Sequence, residues 1–116
     1  MTMMTFTVTP DVGEPLTVPA GSRDLARWES LGKMPNGKPR TLATWQSDAS
    51  MNEMYRVCWI AMERLSKAGA LQLPDGVTDW ETLRDSCDIT SEASPEALAA
   101  AQAAGLMGGG AYPPGR

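Results

Sequence analysis

SMNEMYRVCWIAMERLSKAG, residues 50–69, is the stretch whose reading decides the fold of this 116-residue chain. It carries its own start and stop signals for a helix. Ser50-x-x-Glu53 has the spacing of a capping box, in which each side chain satisfies a free N–H at the other residue. Lys67 falls in the last turn, where a cation suits the helix dipole, and Gly69 stands where a helix commonly leaves the right-handed conformation. Met51, Met54, Tyr55, Cys58, Met62 and Leu65 form an apolar stripe. Val57, Trp59, Ile60 and Ala61 widen that stripe well past one face, and Arg56, Glu63 and Arg64 leave a narrow polar strip. Two readings follow. Either this helix is central and covered on both sides, or part of its second face is an interface.

Working outward, Thr5-Phe6-Thr7-Val8-Thr9 alternates with the two-residue period of a half-buried strand. Pro10-Asp11-Val12-Gly13 has turn chemistry, and Leu16-Thr17-Val18 reads as a second short strand. The expectation is a β-hairpin over about residues 4–19, which must lie on helices or on another sheet edge, because two strands alone are marginal in water. Ser22 is a candidate cap for a helix with Leu25, Trp28 and Leu31 on one face, stopped by Gly32. KMPNGKPR, residues 33–40, reads as a mobile loop, and a helical turn follows to Trp45. After the long helix, a Pro74-Asp75-Gly76 turn precedes a second capping-box pattern, Thr78-x-x-Glu81. It opens a short helix with Trp80 and Leu83 on one face.

Composition shifts after Asp88. Ser94-Pro95-Glu96 followed by ALAAAQAA is a good helix start, with almost nothing apolar to bury, and a Gly/Pro-rich end follows. The sequence therefore predicts a mainly α fold: a compact domain over residues 1–90, built of three to four helices with an N-terminal hairpin. Residues 91–116 are expected to form an Ala-rich marginal helix and a flexible tail.

Charge and residue content bound the chemistry. The net charge is −4, so broad nucleic-acid binding is disfavoured. Charge is segregated nonetheless. Residues 23–40 hold five basic and two acidic residues, whereas residues 75–96 hold seven acidic residues and Arg84 alone as a base. These are two solvated faces or an acidic surface that docks a basic partner. With no His there is no ordinary general base near neutral pH, and no serine or lysine has a nucleophile context. No enzymatic activity, metal or cofactor is expected. Cys58 and Cys87 are not spaced as a metal cluster, and Cys58 reads as a small buried hydrophobe. No apolar run reaches the roughly 20 residues a membrane span needs. MTMMTFTVTP lacks the basic and apolar regions of a signal peptide, so the default compartment is a reducing cytosol.

The order of elements resembles that of the short tail assembly chaperones of long-tailed bacteriophages, especially those of actinobacterial hosts. The carrying residues are the N-terminal hairpin and Arg23-Asp24-Leu25-Ala26-Arg27-Trp28-Glu29. They continue through the Pro/Lys-rich loop, Tyr55-Arg56-Val57-Cys58-Trp59-Ile60-Ala61-Met62 and Asp79-Trp80-Glu81, covering roughly residues 4–90. The resemblance implies a non-enzymatic protein in the host cytoplasm that binds the tape-measure protein, keeps it soluble during tail assembly and is absent from the finished virion. It also implies a longer frameshifted form, and binding as a homo-oligomer is expected. The candidate contact residues are Met54, Trp59, Met62 and Trp80, each of which could equally be core. The runner-up is a structural virion subunit, such as a minor tail or head–tail connector protein.

Overall fold

The alternation at Thr5–Thr9 builds the centre of a sheet, not one arm of an isolated hairpin. A computed structural model describes residues 2–93. The elements run β1 (Thr2–Pro10), β2 (Leu16–Gly21), α1 (Ser22–Glu29), α2 (Leu42–Asp48), α3 (Met51–Lys67), α4 (Trp80–Ser86) and β3 (Cys87–Ala93). The three strands form one antiparallel sheet in the order β2-β1-β3.

This corrects the expected mainly α fold. Over the described residues the molecule is a small α/β fold of a three-stranded sheet and four helices, and the missed element is β3. Val8 pairs with Leu16 on one side and Ile89 on the other, and Phe6 lies between Val18 and Ser91. The requirement that the hairpin find a third element is thus met by the chain's own last strand. Cys87-Asp-Ile-Thr-Ser-Glu-Ala has the right two-residue period, with Cys87 and Ile89 buried and Asp88, Thr90 and Glu92 exposed. Only two of its inward positions are large enough to signal burial. Its pairing partner is about 80 residues away in sequence, beyond the reach of any local pattern. Residues 91–93, expected to begin the tail, complete β3 instead, and the rest of the expected tail from residue 94, with the Ala-rich segment 95–104, lies outside the described residues.

One face of the sheet carries the core. Phe6, Val8 and Val18 have no exposed surface, and Met4, Ala20 and Ile89 are buried beside them. Val57, Cys58, Ala61 and Met62 of α3, Leu25 and Trp28 of α1 and Leu83 of α4 close the other side of that core. The opposite sheet face is polar: Thr7 stands between Thr17 and Thr90, and Thr9 beside Asp88. At the start of β1 the register shifts between Thr2 and Met4, so Met3 is an extra residue in that strand and turns inward against the alternation.

Helix ends follow the expected chemistry with three shifts, the first at α1, where Gly21 and not Ser22 is the cap and its N–H donates to Asp24 Oδ2 at 2.9 Å. After α3, Gly69 takes φ +77° and Ala70 N–H reaches Leu65 O at 2.8 Å, while Gly69 N–H reaches Ser66 O at 3.0 Å. That double closure is a Schellman end, and it needs the glycine. The cap of α4 is Asp79, not Thr78: its carboxylate accepts from Thr82 N–H at 2.8 Å. At α3, Ser50 Oγ accepts from Glu53 N–H at 3.4 Å, but Glu53 does not close the box. Its carboxylate is engaged elsewhere.

Trp28 Nε1 donates to Glu53 Oε1 at 2.9 Å, and Arg40 Nε donates to the same oxygen at 2.7 Å. Glu53 is 2% exposed and Arg40 7%. Arg40 also donates to the carbonyls of Leu31 and Lys33, at 3.1 and 3.0 Å. The segment read as a mobile loop is therefore tied to the core at its far end. Lys33 bridges Pro39, Met34 is buried, and Trp45 packs edge-to-face on Trp28 with centroids 5.2 Å apart. A second tie joins the start of α1 to the end of α3: Arg64 grips Asp24 through two 2.8 Å bonds.

The buried carboxylate gives a pH dependence with a fixed sign. Burial alone would raise the Glu53 pKa. The bonds from Arg40 and Trp28 and the charges of Arg40 and Arg56 outweigh it and hold the carboxyl below its usual range. A carboxyl held lower in the folded than in the unfolded state adds stability above its ordinary pKa. That contribution is lost as pH falls toward and through the folded value. Urea midpoints should drop on acidification below about pH 4.5. Glu53→Gln should be less stable at neutral pH and lose this share of the acid sensitivity.

Candidate functional site

Of the four residues singled out from the sequence, the structure buries one and leaves three partly accessible. Met62 is fully buried and offers no surface. Met54 and Trp59 are both partly buried against the core, five residues apart on α3, which turns them about 140° from one another around the helix axis. Trp80 is covered by Arg56 of α3. Arg56 precedes Trp59 by three residues on the same helix, and its guanidinium lies 4.1 Å from the Trp80 ring centroid. Arg84, one turn on from Trp80 in α4, places its guanidinium 4.9 Å from the same ring. Trp80 is thus held by two cations, an arrangement that favours an indole over any aliphatic side chain.

Both arginines keep their charge in balance nearby. Arg84 Nε donates to Asp85 at 3.0 Å, and that bond raises its pKa. Arg56 Nε is buried without a hydrogen bond and sits 3.4 Å from Glu53 Oε2, so the contact is one of charge alone. The outer face of α3 therefore shows Trp59 and Ile60, both partly buried, around an arginine that reaches back to the Glu53 network. Sequence reasoning named Trp80 but missed its cations. Arg84 was readable from its i, i+4 spacing; Arg56 belongs to another helix and was not.

The remaining chemistry is structural. Tyr55 Oη donates to Cys87 O at 2.7 Å, tying the first turns of α3 to the start of β3, and burial raises the phenol's pKa. Both cysteines are free and buried, and burial pushes the Cys58 thiol far above its ordinary pKa, so it is inert near neutrality. Among the described residues, no group of three His, Cys, Asp or Glu side chains converges as a metal site would require. No helix among them is long and apolar enough to cross a membrane. The described residues form several surface depressions. One lies at the hairpin tip, lined by Pro10, Val12, Leu16, Leu73 and Pro74.

Comparison with known proteins finds no matching family model, no matching curated protein and no matching solved structure.

Proposed function

We propose that this chain is a non-enzymatic assembly chaperone of a long-tailed phage, acting in the host cytoplasm on amphipathic helical stretches of the tape-measure protein. The observation that carries the reading is Trp80 clasped by Arg56 and Arg84, with Trp59 and Ile60 partly accessible on the neighbouring helix. Two indoles and Ile60 remain partly accessible on a rigid helix pair, and two arginines fix one indole in place. Large rings that are already held contribute contact area at little entropic cost, and an apolar helix face laid against them is driven by burial. The order of sequence elements set out above supplies the identity of the client.

Co-expression with a tape-measure fragment tests this. The client should be soluble with the wild-type chain and aggregate with Trp59→Ala/Trp80→Ala, provided that variant stays folded by circular dichroism. A client equally soluble without the chain would end the proposal. The competing role, a structural virion subunit, predicts the protein in purified particles; chaperoning predicts its absence.

A further inference from the structure

We propose that the outer edge of β3 is a docking site for an extended strand carrying Lys or Arg four residues apart. The inference is independent of the chaperone reading, because it concerns the sheet edge and not Trp59 or Trp80. β1 lies on one side of β3, and among the described residues no strand lies on the other. Cys87 is already closed, its N–H bonded to Leu83 O and its carbonyl to Tyr55 Oη, so the stretch that presents unpaired backbone donors and acceptors to an extended chain runs over residues 88–93.

The side chains of β3 select the partner. Asp88, Thr90 and Glu92 project to the polar face of the sheet and are exposed. Their neighbours on β1 are Thr9, Thr7 and Thr5, so no cation stands across from either carboxylate. Neither Asp88 nor Glu92 is in an ion pair among the described residues. The open side is the one position left for a cross-strand cation. A second copy of this chain fits badly. Antiparallel pairing about Thr90 would set Asp88 against the second copy's Glu92, and like charges directly opposite are destabilising. A strand with cations at i and i+4 and a β-branched residue between them makes two opposite-charge pairs and one Thr contact instead. Ser91 and Ala93, which point to the helix side, are small and exposed, so that side leaves room for a neighbour's side chains.

The test uses the full chain and a capped peptide, Thr-Lys-Val-Thr-Val-Lys-Thr, with a second peptide bearing Glu in place of both Lys. Amide NMR should show shifts over residues 88–93 and slowed exchange of the outward amides with the lysine peptide. Asp88→Lys/Glu92→Lys should bind it about tenfold more weakly, since two cross-strand attractions become two repulsions, and should prefer the glutamate peptide. Three results would overturn the proposal. One is an edge unperturbed by the lysine peptide. Another is equal binding by the reversed variant. The third is an edge whose outward amides are already protected without peptide, which means that a second copy or the chain's own residues cover it.

Discussion

Glu53→Ala is expected to destabilise the fold by about 3–5 kcal/mol, the cost of leaving a buried charge without its partner. The reason is the number of groups that converge on one carboxylate. Trp28 Nε1 and Arg40 Nε share Oε1, and Arg56 lies near Oε2. Removing the carboxylate orphans a buried indole N–H and a buried guanidinium together. Arg40 then has reason to swing to water, releasing its bonds to the carbonyls of Leu31 and Lys33. The loss should therefore appear twice: in the urea midpoint, and in faster proteolysis between Leu31 and Arg40. Glu53→Leu with Arg40→Met removes both charges and should recover much of the stability, because the hydrophobic replacement carries no desolvation cost. A single variant with an unchanged midpoint would show that the network contributes nothing.

Phe6→Ala is expected to cost a similar amount, about 3–5 kcal/mol, by a different route. Phe6 has no exposed surface and sits in the central strand between Val18 and Ser91. Truncation opens a cavity bounded by strands on two sides and helices above, a site with little freedom to collapse. Thr7→Ala, one residue on and facing solvent, should change stability by less than about 0.5 kcal/mol. Chemical denaturation of the two variants side by side measures the difference between the faces of β1. With total stabilities of small domains at about 5–15 kcal/mol, Phe6→Ala removes a large share of the folding free energy.

Local chemistry was legible where a few neighbouring residues decide it. The alternation at Thr5–Thr9 gave β1 and its buried face, and Ser50 and Gly69 gave both ends of α3. Trp28 and Trp45 read as core and are buried. What was not legible depended on distance. β3 carries only Cys87 and Ile89 as buried apolar signals, and its pairing with β1 joins opposite ends of the described chain. The sequence placed Glu53 in a capping box because Ser50 stood three residues before it. A buried arginine thirteen residues upstream and a tryptophan twenty-five upstream claimed its carboxylate instead. In the candidate contact set, the helical pattern could not separate Met62, which is core, from Trp59, which keeps surface. Both lie on a helix apolar around most of its circumference, and only the placement of its neighbours decides which side is covered.

The strand order has a consequence for the making of the protein. Of the three described strands, the one synthesised first is the middle of the sheet, and the one that completes it is made after α4. A nascent chain that has reached α3 holds a hairpin with one flank of β1 still unpaired, and that flank stays open until Cys87–Ala93 has cleared the ribosome. Closing so long a loop is slow compared with forming the local helices. Translation speed through the codons between α3 and β3 thus sets how long the chain is vulnerable to mispairing, and any product that shares residues 2–93 passes through the same window.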